Sequence, residues 1–264
     1  MWAIQSNFIY HQNVVEIVAA LNKLKIPYVT LGIMPFSREL KLDRDNDEDV
    51  AGLGLDILPY GSTTLLKIAM ERGWKRLSFN DNFDFRCWQG ARRRDMLNRD
   101  GFVCTVAEAA AHAAKRDPNE MFFIRPVGDL KLFSGTVAPA SEIARWMQSA
   151  ESGHFTFTND DLVVLAPPKK ILAEWRYFIC NEQIVSGSQY RSRGQLCVKR
   201  ETDPNVLKEA QMFADVWLPH RNCVMDLALD GDGVVQVIEF NCINGSGFYD
   251  HDIERIVVAL EKAS

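Results

Sequence analysis

The sequence predicts an α/β N-terminal domain followed by an α+β region, and three observations carry that reading. Over residues 1–85, short apolar runs alternate with apolar residues at helical spacing, which is the pattern of a small parallel sheet with helices packed on it. From Met121 onward, strand patterns predominate, separated by turns and short breaks. Near the end, Val224, Leu227 and Leu229 lead into Asp230-Gly231-Asp232-Gly233, and Val234 to Ile238 lead out again, a strong hairpin signal.

In chain order, Trp2-Ala3-Ile4 is a short strand. Val14, Ile17, Val18, Leu21 and Leu24 mark one helix face, and Pro27 to Leu31 form a second strand. Ser37 to Asp49 is rich in acids and reads as a solvated loop. Leu55 to Leu58 is the next strand. Gly61-Ser62-Thr63 then opens a helix through Arg72, a junction that suits either an anion or a plain N-cap. Lys75 to Phe79 reads as another strand. Trp88 to Asn98 reads as a helix carrying Arg92, Arg93 and Arg94, which spread around its surface as solvated cations. Thr105 and Glu108 form a capping box for the helix that follows.

Met121 to Pro126 is a strand ending in a cation, Arg125. A glycine-bounded loop, Gly128 to Thr136, comes next, and it suits a cover over phosphates although it is no P-loop. Leu162 to Ala166 is an apolar strand stopped by Pro167-Pro168, because proline offers no N–H to a neighbour. Ile171 to Cys180 and Ile184 to Tyr190 are strands turning at Asn181-Glu182-Gln183, and Glu174 and Arg176 share a face of the first. Val206 to Trp217 and Ile253 to Leu260 are helices.

Composition narrows the function classes. The charged share is 25%, the hydrophobic share 47% and the net charge −5, an ordinary globular balance with no strong nucleic-acid signal. Six cysteines without CxxC spacing imply reduced thiols in a cytoplasmic protein with no zinc site. No basic leader or membrane-spanning run stands out. The chemistry sits on the closing hairpin. Glu239 and Asn241 are two apart on one strand, and pairing across the turn can bring Asp226 beside them. Two carboxylates and an amide oxygen suit a hard cation such as Mg²⁺, with Mn²⁺ an alternative.

The order of these pieces resembles the ATP-grasp superfamily of ATP-dependent carboxylate–amine ligases. The matching stretches are FFIRP, GDLKLFSGT, VVLAPP, EWRYF, YRSRG and VMDLALD with VQVIEFNCINGSG, spanning about residues 121–249. The resemblance implies two α+β subdomains clamping a nucleotide. It divides the chain into a small α/β domain over 1–85, linker helices and the N-terminal subdomain with its phosphate loop over 86–168, and the C-terminal subdomain with the metal site over 169–264.

The resemblance also assigns roles. Asp226, Glu239 and Asn241 fall on metal ligands. Arg125 falls where most members carry a phosphate-contacting lysine, a departure similar to an often phage-borne branch that uses arginine there. An arginine keeps the charge and adds a planar fork. Lys131, Ser134 and Gly135 fall on the phosphate-covering loop, Leu165 and Ala166 on the backbone that meets adenine, and Glu174 near the ribose. Arg176, Arg191 and Arg193 match cations facing the phosphates and an acyl-phosphate. An earlier family lysine has no match here beyond the unplaced Arg92 and Arg93. The expected cofactors are ATP and Mg²⁺, and the expected partners are a carboxylate and an amine, small or peptidic, with a homodimer left open. A phosphotransferase on the same fold and a nucleotide-binding module without turnover are the alternatives.

Overall fold

The computed structural model describes every residue except 44–49, 93, 130–131, 147–149, 151–156, 201–202 and 264. The described chain makes two compact units, one of Met1–Asn80, Glu174–Asp226 and Phe240–Ser264, the other of Asp81–Ala173 and Leu227–Glu239. Among the described residues, no helix is long and apolar enough to cross a membrane.

The first unit begins with a four-stranded sheet in the order β3-β2-β1-β4, built from β1 (Trp2–Gln5), β2 (Tyr28–Ile33), β3 (Leu40–Leu42) and β4 (Leu58–Tyr60). β1 pairs in parallel with β2 and β4, as the alternating pattern requires. β3 is an antiparallel edge strand inside the charge-rich stretch expected to be loop. Two other expectations are corrected. The strand expected at Leu55–Leu58 lies at Leu58–Tyr60, because Leu55 is exposed and Pro59 and Tyr60 are buried. Lys75–Phe79 is not a strand; only the Lys75 and Arg76 N–H groups reach Leu55 and Ile57 carbonyls, too few bonds for a ladder.

Helices α1 (His11–Leu24) and α2 (Thr63–Glu71) connect these strands. Ser62 is the N-cap of α2, its hydroxyl accepting from the Leu65 N–H at 3.3 Å. A five-stranded sheet in the order β11-β10-β9-β12-β13 follows, comprising β9 (Ile171–Cys180), β10 (Gln183–Ser192), β11 (Gln195–Lys199), β12 (Cys223–Asp230) and β13 (Val235–Asn241). α6 (Pro204–Val216) and α7 (Ile253–Lys262) complete the elements. One core of the first unit joins Ile4, Ile17 and Leu21 to Phe178, Val224, Phe248 and Val257.

The second unit is built on an antiparallel sheet, β5-β8-β6-β7, from β5 (Phe102–Thr105), β6 (Met121–Pro126), β7 (Thr136–Pro139) and β8 (Leu162–Ala166). α4 (Val106–Ala113) starts with the expected capping box, Glu108 N–H to Thr105 Oγ1 at 3.1 Å and Thr105 N–H to Glu108 Oε2 at 2.8 Å. It covers a core of Ile124, Val163, Leu165, Trp146 and Phe157, beside α5 (Ala140–Ile143). The helix expected at Trp88–Asn98 is instead α3 (Phe85–Arg92). The next residues turn to meet β13, Met96 bridging Val237 and Leu97 N–H donating to the Val237 carbonyl. Arg92 is buried and paired to Asp95 at 2.9 Å, so it is not the solvated cation its sequence context suggests. Arg93 lies outside the described residues.

Candidate active site

In the first unit the site is built around Arg176. The period of two on β9 turns Arg176 to the face that also carries Glu174. Arg176 is buried, and its guanidinium holds the Asp226 carboxylate through two parallel bonds, Nε–Oδ1 at 2.8 Å and an Nη–Oδ2 bond at 2.7 Å. Its other terminal nitrogen donates to the Gly247 carbonyl at 3.2 Å. Tyr190 and Tyr249 stack 4.8 Å apart, and the Arg176 charge lies 5.8 Å and 5.1 Å from their ring centroids. Burial pushes against this cation, but the Asp226 charge and hydrogen bonds outweigh it and hold Arg176 above its ordinary pKa. Burial, with the Asp226 and Glu174 charges, raises the Tyr190 phenol, and burial raises that of Tyr249, so both rings stay neutral donors at physiological pH.

Glu174 accepts from the Tyr190 hydroxyl at 2.8 Å and lies 3.6 Å from Arg191. Arg193 stands apart, exposed at the tip of the β10–β11 hairpin. Arg193 and Gly194 form the two-residue turn there, at φ 49° and 79°, the backbone a tight hairpin demands. Asn241 is buried at the end of β13.

In the second unit Arg125 plays the matching part. It is buried on β6, with one guanidinium nitrogen 2.9 Å from the Glu239 carboxylate and its charge 5.0 Å over the Trp88 ring. Gly135 lies against it, since a Cβ there would come within 3.1 Å of the Phe123 ring and 3.4 Å of the Arg125 Cβ. Ser134 is exposed beside it, and Lys131 lies outside the described residues. On β8, Leu165 pairs with Ile124 and Ala166 with Phe123. Leu165 turns its side chain into the core, leaving its backbone as the part able to meet a base. Asp226 and Asn241 belong to the first unit, and Glu239, two residues before Asn241, to the second.

Tyr190, Tyr249 and Trp88 have no role in the sequence-based expectations, though Tyr190 lies inside YRSRG and Tyr249 follows the Gly245-Ser246-Gly247 turn. An aromatic next to a strand-borne arginine was the available signal. The donor set fits a hard divalent cation, since Asp226, Glu239 and Asn241 offer only oxygens. Among the described residues, no cluster of three or more His, Cys, Asp or Glu side chains is arranged to hold a metal, so the amide of Asn241 is needed for that reading.

Strands and buried cations of this kind define an ATP-grasp fold, and comparison with solved structures agrees. D-cycloserine synthetase DcsG aligns over 100% of this chain and 99% of its own, with a TM-score of 0.64 at 13% identity. D-alanine–D-alanine ligase from Bacillus anthracis aligns over 99% and 96%, with a TM-score of 0.65 at 12% identity. Macrocyclase MdnC from Microcystis aeruginosa MRC, bound to its precursor peptide MdnA, aligns over 100% and 99%, with a TM-score of 0.59 at 12% identity. No curated protein matches the sequence. The chain belongs to an ATP-grasp domain family, family 3 of its clade, whose model matches residues 83–260, well over half of its length.

Proposed function

We propose that this chain is an ATP- and Mg²⁺-dependent, ADP-forming ligase that joins a carboxylate to an amine through an acyl-phosphate. The supporting observation is the pair of buried arginines within the family match, Arg125 beside Glu239 and Arg176 beside Asp226. Burying a guanidinium is unfavourable, and these two are set against the carboxylates that would hold the metal. Such a reaction has no need of a nucleophilic side chain. Phosphoryl transfer to a carboxylate depends on positioning and on charge neutralisation.

In this reading Asp226, Glu239 and Asn241 hold Mg²⁺, which supplies charge stabilisation for the transferring phosphoryl group. Arg125, with Lys131, Ser134 and Gly135, faces the nucleotide phosphates. The Leu165 and Ala166 backbone meets adenine, and Glu174 meets the ribose. Arg176 neutralises the acyl-phosphate. Arg191 and Arg193 orient the acid, because a nucleotide with Mg²⁺ needs fewer than five cations and the surplus implies a second anion. The synthetase and ligases of the same fold act on amino-acid-like molecules, and the macrocyclase binds a peptide. The acid here is accordingly an amino-acid or peptide carboxylate. Six unpaired cysteines support a reducing, cytoplasmic setting.

The test is incubation with ATP, Mg²⁺, a panel of amino acids and peptides, and hydroxylamine. A hydroxamate, with ADP released only when an acid is present, is the expected result. A stable phosphate ester on a hydroxyl, with no hydroxamate, would make the protein a phosphotransferase instead.

A further inference from the structure

The first unit carries an open cavity of about 280 Å³ that the ligase reading does not use. Its walls come from Asp56 and Leu58 at the start of β4, the segment Lys75 to Ser78, the loop His220 to Asn222, and the last turn of α7. It is removed from Arg176. α7 begins just after Tyr249 and is 10 residues long, so its cavity end lies about 15 Å along the helix axis from that tyrosine.

The charge of the walls is unlike that of the chain. The whole sequence is acidic, at −5, yet the cavity walls hold Lys75, Arg76 and Arg221 against the single acid Asp56. Lys75 and Arg221 are exposed, and among the described residues neither side chain holds an ion pair or hydrogen bond. Arg76 is different: its side chain is 8% exposed and fixed. One nitrogen donates to Glu261 Oε1 at 2.6 Å and to the Leu260 carbonyl at 3.3 Å. Its Nε–H is buried and finds no acceptor in the protein. A structural role as the clasp of the α7 C-terminus accounts for that one nitrogen only. It accounts neither for the unmet N–H nor for two uncommitted cations beside it, since buried donors are normally satisfied.

We infer that this cavity binds a small anion bearing phosphate or carboxylate oxygens. Arg76 is its rigid floor, and Lys75 and Arg221 are the cations that close on the ligand. The volume lies at the lower end for small-molecule sites, which suits a compact metabolite better than a full nucleotide. Free phosphate and a phosphorylated or polycarboxylate metabolite share this chemistry, and the probes separate them.

The test is calorimetric titration of the whole protein with pyrophosphate, inorganic phosphate or citrate, at fixed ionic strength and with EDTA present to disfavour Mg²⁺–nucleotide chemistry. Saturable one-to-one binding of at least one probe is expected, and the tightest probe identifies the source. In the Lys75→Ala/Arg221→Ala variant the affinity should fall at least about tenfold, while the unliganded melting temperature stays put because both side chains are exposed. Hydrogen exchange should slow at residues 75–78 and 220–222 when the probe binds. No saturable binding by any of the three, unchanged affinity in the double variant, or protection confined to other segments would each overturn the site.

Discussion

Burying a guanidinium is unfavourable unless its charge and donors are met, and Arg176 meets both through Asp226, whose side chain is 2% exposed. Removing the acid strands a buried charge. Asp226→Ala should therefore lower unfolding stability by about 3–5 kcal/mol, read from urea denaturation. Replacing both partners with apolar residues, Arg176→Met with Asp226→Leu, should recover most of that loss while abolishing turnover. If the double variant is as unstable as the single one, the pair is not the source of the effect. Glu239 is the contrast. At 27% side-chain exposure its pair with Arg125 is partly solvated, so Glu239→Gln should change stability by about 1 kcal/mol or less. His251 makes a separate statement about pH. It is buried, its Nδ1 lies 2.9 Å from the Ser186 hydroxyl, and burial together with Arg176 and Arg200 pushes its pKa down to about 3. A histidine with a depressed folded pKa leaves the unfolded chain binding more protons between that value and the usual 6.5. Its stabilisation is complete above pH 6.5 and fades toward pH 3, by roughly 2 kcal/mol at pH 5. His251→Gln should flatten that part of the stability–pH curve; equal slopes for the two proteins would refute the assignment.

Elements show why some of this was legible and some was not. β6, β8 and β9 are found at the residues expected, because each is a continuous apolar or alternating run ended by proline or a turn. The Thr105–Glu108 box was legible for a similar reason, since its two partners are three residues apart. β3, β7 and β11 were missed. Each is an edge strand with little apolar sequence of its own, held by a neighbour rather than by propensity. The α3 error has the same root, because Met96 and Leu97 take partners on β13, some 140 residues away in sequence. Likewise, nothing local could show that Arg176 meets Asp226 or that Arg125 meets Glu239. The hairpin tip offers a test at this scale. Gly194 at φ 79° has a conformation that alanine takes with difficulty, so Gly194→Ala should cost about 1–2 kcal/mol. Arg193 at φ 49° can become Asn without strain. Arg193→Asn should keep stability while raising KM for the acid roughly tenfold, about 1.4 kcal/mol of binding, with KM for ATP unmoved. A rise in both constants would place Arg193 on the nucleotide instead.

For the whole molecule, the proposed reaction makes nucleotide and metal part of the folded state's free energy. Mg²⁺ and the nucleotide bind the folded chain and not the unfolded one. A non-hydrolysable ATP analogue with Mg²⁺ at about a hundred times its dissociation constant should stabilise the protein by about 2.7 kcal/mol. The proposed ligand set makes this increment depend on both components together. The analogue alone should give less, because the phosphates would then meet Glu239 and Asp226 with no cation between like charges. Glu239→Gln separates the two effects. It removes one carboxylate ligand and leaves Arg125 without its charged partner, so the analogue alone should bind that variant at least as well as it binds the wild type. The extra stabilisation from Mg²⁺ should disappear. Should Mg²⁺ add the same increment to Glu239→Gln as to the wild type, Glu239 is not a metal ligand, and its ion pair with Arg125 would have to be its whole role.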